Sequence, residues 1–206
     1  MPDREAPDWP ARLELGVAGR ALPGEARSGD RAVLVTYDGG ALVAAIDGLG
    51  HGGEAADAAA AAAAVMAARP DAEPTQLIEA CHRALARTRG AVMTIAWFDL
   101  VGESMSWTGV GNVEGRLVRA DRQHGDSDDS PTLFGGVLGW SLPTVRLVRT
   151  TLAPGDCLVM ATDGIAADFG SSLQPGVRAD EQARRVLASH SRGSDDALVV
   201  AVRYRP

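Results

Sequence analysis

The first part of the chain alternates short apolar runs with turn residues, and this pattern predicts β-strands. Three runs are rich in Val, Ile, Leu and Ala: Leu13 to Ala18, Ala32 to Tyr37 and Ala41 to Ile46. Asp38-Gly39-Gly40 separates the second run from the third, and an Asp-Gly sequence between two such runs favours the tight turn of a β-hairpin. The N-terminal region is therefore predicted to hold a strand followed by a hairpin.

After residue 52 the pattern changes to one typical of helices. Glu54 to Arg69 is alanine-rich and is followed by Pro70, so it predicts a first helix that ends there. Pro74 suits the first turn of a second helix, which is predicted to run to about Thr88 before Gly90 ends it. Four residues share one face of this second helix: Leu77, Ile78, Cys81 and Leu85.

Beyond residue 90 apolar runs of strand length return. Six strands are predicted: Ala91 to Leu100, Ser104 to Val110, Val113 to Arg119, Thr144 to Leu152, Cys157 to Thr162 and Ala197 to Tyr204. A helix from Asp180 to about Ser189 precedes the last strand, and the polar segment Asp121 to Ser130 is predicted to be a surface loop. Because strands occur in runs with the helices grouped between them, the pattern predicts an α+β fold with antiparallel sheets.

Length and charge narrow the class of protein. The chain has 206 residues, which predicts a single domain over 1–206 with a flexible N-terminus at 1–12. Its net charge is −7 and no basic cluster is denser than Arg184-Arg185, so nucleic acid is not an expected partner. All 20 basic residues are arginine, and the absence of lysine excludes a Walker-A loop and Schiff-base chemistry.

Cysteine content and hydropathy exclude further classes. Cys81 and Cys157 are too few for a disulfide framework or a zinc finger, so a metal would be held by oxygen or imidazole groups. Residues 1–10 carry four charges and no apolar core of a targeting segment, and the apolar run Ala58 to Ala68 is too short to span a membrane. We therefore expect a cytoplasmic protein without a membrane partner.

Acidic residues recur in glycine-containing turns at strand ends. Four such segments occur: Ser28-Gly29-Asp30, the DGLGHG sequence Asp47 to Gly52, Thr162-Asp163-Gly164 and Ser194-Asp195-Asp196. One Asp-Gly pair alone is ordinary turn chemistry. Several carboxylates gathered after apolar strands would instead be costly to bury without a cation, and oxygen ligands of this kind suit Mg²⁺ or Mn²⁺.

In this order the four motifs resemble those of the metal-dependent type 2C (PPM) serine/threonine phosphatases, in their SpoIIE-like branch. Two further segments, Arg89-Gly90-Ala91 and Ser106 to Val113, resemble the stand-alone RsbX-type phosphatases of stress-response modules. The resemblance extends from about Ser28 to Val202. It implies a four-layer α-β-β-α sandwich of two antiparallel sheets, with a dinuclear centre of Mn²⁺ or Mg²⁺ at one edge.

The resemblance also implies a role for individual residues. Asp47 would contact both ions, and the Gly48 carbonyl would bind the second. Asp163 and Asp195 would bind the first ion, and Asp30 would help to hold the second. Asp47 and Asp163 are the residues on which catalysis is expected to depend, because the paired ions activate water and neutralise the phosphoryl oxygens without a protein nucleophile.

Two positions depart from the wider family. Leu49 stands where eukaryotic members have a histidine, and His51, two residues on, is either a proton donor at the phosphate or a solvent-facing turn residue. Arg27 is a candidate phosphate-binding residue, although it is out of register with the arginine of the eukaryotic enzymes. In the Asp195-Asp196 pair, the first carboxylate is predicted to face the metal and the second to bind backbone amides of the turn.

The resemblance predicts an enzyme that removes phosphate from serine or threonine of a partner protein. The partner it implies is a phosphorylated STAS-domain signalling protein, and the enzyme is expected to act as a monomer. Two alternatives stay open: an inactive binding module with the same fold, and a metallohydrolase of small phosphate esters. Few aromatic residues and the absence of a clear pocket motif disfavour the second alternative.

Overall fold

The computed structural model describes residues 10–121 and 128–205, and the strands of this part of the chain form two sheets. The first sheet contains β1 (Leu13–Arg20), β6 (Glu114–Val118), β9 (Cys157–Ala161) and β10 (Ala197–Tyr204). The second contains β2 (Asp30–Tyr37), β3 (Gly40–Gly48), β4 (Ala91–Asp99), β5 (Ser104–Val110), β7 (Leu133–Phe134) and β8 (Val148–Thr151). The strand order is β1-β10-β9-β6 in the first sheet and β2-β3-β4-β5-β7 in the second, with β8 also paired to β5.

Helices cover the outer faces of both sheets. Helices α1 (Gly52–Ala68) and α2 (Pro74–Leu85) pack on the second sheet, and α3 (Ala179–His190) packs on the first. A short 3-10 helix (Ala167–Ser172) lies between β9 and α3. The layers are thus helix, sheet, sheet and helix, which confirms the predicted α-β-β-α sandwich.

Strand sequences in this sandwich are apolar throughout because both faces of each central strand are buried. On β3, alternate residues point to opposite sides. Three lie in the core between the sheets: Ala41, Val43 and Ala45. The other three lie beneath the helices: Leu42, Ala44 and Ile46. The same alternation divides β10 between the central core and the layer beneath α3.

The alanine-rich sequence of α1 lets the helix approach the sheet closely. Its buried positions are nearly all small: Gly52, Ala55, Ala56, Ala58, Ala59, Ala62 and Met66. At the end of β3, α1 lies so close to the strand that a Cβ on Gly48 would be only 2.1 Å from the Ala55 carbonyl oxygen. A side chain at position 48 would therefore displace the helix from the strand.

Beyond shifts of one or two residues at element ends and the 3-10 helix, which the sequence analysis did not predict, three elements differ from the sequence prediction. Helix α2 ends at Leu85 rather than near Thr88, because the amide and hydroxyl of Thr88 turn back to the Leu85 carbonyl. The predicted strand Thr144 to Leu152 is shorter, as only Val148–Thr151 pairs with β5. The two-residue strand β7 was not predicted, and it pairs with β5 in parallel, an exception to the otherwise antiparallel sheets.

Residues 1–9, 122–127 and 206 lie outside the described part of the chain, and they include most of the predicted N-terminal tail and of the predicted loop at 121–130. Arg12, expected in that tail, is held in place, because its guanidinium donates to Glu103 Oε1 at 2.6 Å. Asp129, expected in the loop, bridges to Leu117. No helix in the described ranges is long and apolar enough to cross a membrane.

Candidate metal centre

Asp30 and Asp47 face each other across two strands of the second sheet. Asp30 is the first residue of β2, Asp47 is the penultimate residue of β3, and the antiparallel register pairs them directly. Directly opposed side chains in such a pair have Cβ atoms about 4.5–5.5 Å apart. The hairpin therefore places two of the predicted carboxylates side by side at one edge of the sandwich.

The first sheet brings Asp163 and Asp195 to the same edge. Asp163 follows the end of β9 and Asp195 precedes the start of β10, and these strands are antiparallel neighbours. Thr162 connects the two sheets, since its hydroxyl donates to Asp30 Oδ2 at 2.6 Å while its amide donates to the Leu198 carbonyl at 3.1 Å. The predicted carboxylates thus converge from both sheets.

The two carboxylates of the Asp195-Asp196 pair have different surroundings. Asp196 is 3% exposed, and its two oxygens accept hydrogen bonds at 2.7 Å from the amides of Leu22 and Gly29. Asp195 is more exposed and accepts one described hydrogen bond, from the Asp196 amide at 2.8 Å. Asp196 binds backbone amides, as predicted, but these belong to the segment before β2 rather than to its own turn.

Burial of the carboxylates and their closeness to one another raise the pKa values of Asp30 and Asp47. Burial, followed by the charges of Asp30, Asp163, Asp195 and Asp196, raises the pKa of Asp47 to about 8. Burial also raises the pKa of Asp30 to about 7, against the opposing effect of its hydrogen bond from Thr162. Both shifts have the same physical cause: several negative charges lie close together in a partly dehydrated place.

The loop after β3 positions a backbone oxygen beside these carboxylates. The Gly48 amide donates to the Gly29 carbonyl at 3.1 Å, and the Leu49 amide donates to the Gly90 carbonyl at 3.0 Å. A Cβ on Gly29 would lie 3.2 Å from the Gly48 carbonyl oxygen and 2.8 Å from the Ala55 Cβ. Glycine at position 29 therefore keeps the space around the Gly48 carbonyl open.

Arg27 and His51 lie near the start of α1 and have acidic partners of their own. Arg27 Nη2 donates to Asp57 Oδ1 at 2.8 Å, and His51 Nδ1 lies 2.7 Å from Glu25 Oε1. Both pairs are exposed to solvent, and no described hydrogen bond joins either residue to the central carboxylates. Their predicted role in phosphate binding stays a prediction.

Two polar residues that the sequence analysis did not assign a role orient the carboxylates. Asn112 Nδ2 donates to Asp163 Oδ2 at 3.0 Å, and Thr162 binds Asp30 as described above. Asn112 follows Gly111, whose φ of +93° allows the tight turn after β5. A polar residue in a glycine turn after a buried strand is the same signal that selected the aspartates, so both could have been proposed from sequence.

A cavity of about 270 Å³ opens beside Asp163. Its polar lining includes Asn112, Glu114 and Arg192, and Phe169 contributes an apolar wall. Arg192 has no ion pair within the described ranges, and its amide donates to the Gly164 carbonyl at 2.8 Å. Asp163 is thus accessible from solvent through this cavity.

The layered fold is the one found in solved PP2C-type phosphatase domains, and this likeness is one of fold. The family model described as stage II sporulation protein E (SpoIIE) matches residues 37–205. Because this match extends over most of the chain, the chain belongs to the SpoIIE family. No curated protein sequence matches it.

Three solved structures illustrate the similarity. One, described as "The bacterial stressosome: a modular system that has been adapted to control secondary messenger signaling", contains a chain 29% identical, covering 93% of this chain and 99% of that one, with a TM-score of 0.84. RsbX in complex with magnesium is 22% identical, covers 93% and 95%, and has a TM-score of 0.82. The catalytic domain of the phosphatase PstP with two manganese ions is 21% identical, covers 94% and 99%, and has a TM-score of 0.70. The last two likenesses are of fold.

Proposed function

We propose that the chain hydrolyses phosphoserine or phosphothreonine on a partner protein in a reaction that depends on Mn²⁺ or Mg²⁺. The observation that carries this proposal is the convergence of Asp30, Asp47, Asp163 and Asp195 at one edge of a PP2C-type fold. Thiol chemistry is disfavoured, because burial raises the pKa of Cys81 and of Cys157 to about 12. The proposal accordingly assigns neither cysteine a role as nucleophile.

The donor set fits two hard cations. Asp47 would contact both ions with the Gly48 carbonyl on the second, Asp163 and Asp195 would hold the first, and Asp30 would help to hold the second. Burial and mutual repulsion of Asp30 and Asp47 would be relieved by bound cations. When bound, such ions would polarise the phosphoryl oxygens and neutralise their charge. RsbX with magnesium and PstP with two manganese ions support this choice of metal.

Within residues 10–121 and 128–205, no three carboxylate, imidazole or thiol side chains form a ready-made metal cluster. This agrees with magnesium-type sites, in which one or two carboxylates hold each ion and water supplies the remaining ligands. The residues of this chain would then act mainly by position. Asn112 orients Asp163, Thr162 orients Asp30, and Asp196 holds the Gly29 amide so that the Gly48 carbonyl stays accessible.

The first experiment is an assay of p-nitrophenyl phosphate hydrolysis with Mn²⁺, with Mg²⁺ and with EDTA. Turnover in either metal that EDTA abolishes supports the proposal. An inactive phosphatase-fold binding module, the alternative function, would show no turnover under any of the three conditions. Metal-dependent hydrolysis of the small ester with no activity on any phosphoprotein would instead favour the alternative of a small-molecule metallohydrolase.

The proposed substrate is a phosphorylated STAS-domain signalling protein. We also propose that the enzyme acts as a monomer and in the cytoplasm. Support comes from the 29% identical chain of the stressosome structure and from the fold shared with RsbX. The net charge of −7 adds a physical reason, since an acidic enzyme repels a free phosphate and has to recognise other parts of its substrate.

A matched pair of substrates tests this proposal. The first is a STAS-domain protein phosphorylated on serine, and the second is a short phosphopeptide cut from the same protein. We expect kcat/KM to be at least tenfold higher for the folded protein. Equal values would show that the enzyme does not recognise the folded partner, and the STAS proposal would then be wrong even if metal-dependent hydrolysis is established.

A further inference from the structure

Trp140 is an unusually exposed aromatic residue. Its exposed fraction is 66%, while Trp97 and Trp107 are buried in the core. Within the described ranges the other exposed large apolar residues are all aliphatic: Val17, Val101, Leu133 and Leu147. A single exposed apolar side chain is common on protein surfaces and needs no explanation by itself. The position of Trp140 and the fixed backbone that carries it distinguish this residue.

Trp140 lies beside the loop that carries the candidate metal-binding Gly48. A Cβ on Gly90 would lie 3.6 Å from Trp140 Cδ1, and the Gly90 carbonyl accepts the hydrogen bond from the Leu49 amide. Arg89 precedes Gly90, and its guanidinium lies over the loop after β3, since a Cβ on Gly50 would be 2.7 Å from Arg89 Nη1. Arg89, Gly90 and Trp140 thus form a rim next to the carboxylate cluster, which we call the Trp140 rim.

The backbone that carries Trp140 is fixed on three sides. Leu138 exchanges two backbone hydrogen bonds with Ala91, at 2.9 and 3.1 Å, which joins the segment to β4. The Trp140 amide donates to the Val137 carbonyl at 3.0 Å. The Gly139 amide donates to Nδ1 of His82 at 3.0 Å, which joins the segment to α2. The backbone that carries the exposed indole is therefore fixed before any partner arrives.

An exposed tryptophan on a fixed backbone, beside an arginine, is the composition of a protein-binding hot spot. Tryptophan and arginine are enriched among residues whose truncation weakens protein complexes, and a preorganised side chain loses little entropy on binding. Arg89 is already paired with Glu54, with Nε 2.6 Å from Oε2, so the rim offers little net charge to a bare phosphate. Its chemistry suits an apolar side chain of a protein, rather than the phosphate itself.

We propose that the Trp140 rim is a docking surface for the phosphoprotein substrate, with Trp140 covering an apolar side chain close to the phosphorylated residue. This inference rests on the proposed phosphatase function and adds to it the residue that discriminates proteins from small phosphate esters. A small ester bound at the carboxylate cluster has no atoms to place on the rim. A protein substrate that delivers its phosphoserine to the cluster must lie against the surrounding surface.

The test compares wild type with Trp140→Ala on three substrates: the phosphorylated STAS-domain protein, phosphorylated casein and p-nitrophenyl phosphate. We expect at least a tenfold loss of kcat/KM on a phosphoprotein, mainly through a higher KM, and less than a twofold change on the small ester. Trp140→Phe should retain most of the wild-type value, because the ring preserves the apolar contact. Val101→Ala is the matched control, since Val101 is 82% exposed in the turn between β4 and β5 and should change neither activity.

Two outcomes would overturn the inference. Equal losses on the small ester and on the phosphoproteins would mean that Trp140 supports the structure of the site rather than docking. Unchanged kcat/KM on both phosphoproteins would mean that substrates do not contact the rim. If wild type shows no metal-dependent turnover, the phosphatase proposal fails separately. Calorimetric binding of the phosphorylated STAS-domain protein then decides the docking question: tenfold weaker binding by Trp140→Ala supports it, and equal binding excludes it.

Discussion

Asp156 and Asp47 are both buried or partly buried carboxylates, yet of the two only Asp156 has a cationic partner among the described residues. Asp156 is 1% exposed, and its Oδ2 lies 2.9 Å from Arg119 Nη1. The amides of Ala120 and Ala153 also donate to it, at 2.9 and 3.0 Å. Its negative charge is compensated entirely by groups of the chain itself.

Asp47 forms no ion pair with any residue in the described part of the chain. Its neighbours at the sheet edge are other carboxylates, and burial together with their charges raises its pKa to about 8. Burying a charged group without a partner is unfavourable, so a fold that keeps several such groups together needs an external cation. The contrast separates a carboxylate with a structural role from carboxylates suited to hold an ion, and four predictions test it.

The largest expected effect is on catalysis. Asp47→Asn and Asp163→Asn should each lower kcat on p-nitrophenyl phosphate with Mn²⁺ by about 100-fold or more, because a lost ligand removes several kcal/mol of transition-state stabilisation. Asp38→Asn, at the far end of the same hairpin, is the matched control and should leave kcat unchanged. A folded variant at position 47 or 163 that keeps more than about a tenth of wild-type turnover would contradict the role of that residue.

The second prediction assigns different roles to the two neighbours Asp195 and Asp196. Asp195→Asn should weaken Mn²⁺ binding at least tenfold, as expected for a lost ligand. Asp196→Asn should instead lower the free energy of unfolding by about 1–3 kcal/mol, because the hydrogen bonds to the Leu22 and Gly29 amides weaken. Calorimetric metal titration and chemical denaturation measure the two quantities. A larger loss of metal affinity in Asp196→Asn would reverse the assignment.

The third prediction concerns the compensated carboxylate. Arg119→Met should lower the free energy of unfolding by about 1–3 kcal/mol, because it leaves Asp156 buried without its cation. Metal affinity should not change. Arg184→Met removes a solvent-exposed ion pair on α3 and should have no measurable effect on unfolding. If Arg119→Met weakens Mn²⁺ binding as much as Asp195→Asn does, the two groups of carboxylates are not independent.

The smallest effect is a pH dependence of the metal-free protein. The folded pKa values of Asp30 and Asp47, about 7 and about 8, exceed the ordinary value of 3.8, so folding favours their protonated forms. Their contribution to stability is full below pH 4 and is lost as the pH rises to about 8. In EDTA, the free energy of unfolding should therefore fall by at least about 1 kcal/mol between pH 5 and pH 8.

Saturating Mn²⁺ should remove this fall in the free energy of unfolding with pH, because the ion favours the ionised carboxylates. Asp47→Asn should reduce the decline in EDTA, whereas Arg119→Met should not. Denaturation midpoints at a series of pH values provide the measurement. A decline of equal size in Asp47→Asn and wild type would show that the crowded carboxylates are not its cause.

Local patterns were sufficient to predict most elements of the fold. The strand Ser104–Val110 and the strand Ala197–Tyr204 have the predicted bounds, and both helices after β3 begin within two residues of their predicted starts. The errors fall where tertiary contacts decide. Leu133–Phe134 has no strand-like pattern of its own, and its pairing depends on the position of β5. Val148 pairs with Trp107, while the residues just before it do not pair, because β7 occupies the same edge of β5 from Gly109 onward.

The sequence by itself determined which carboxylates are candidates. Asp47 and Asp163 stand in Asp-Gly turns after apolar runs, and the family resemblance of the motifs around them added Asp30 and Asp195. Only the tertiary structure decided what surrounds each one. Asp195 and Asp196 are adjacent in sequence and chemically identical, and the approach of the segment before β2 makes the second a structural acceptor. The same holds for Trp140, whose place beside Gly90 follows from contacts across about fifty residues of chain. Local sequence sets backbone preference and side-chain chemistry, whereas burial, charge compensation and neighbourhood depend on distant segments meeting.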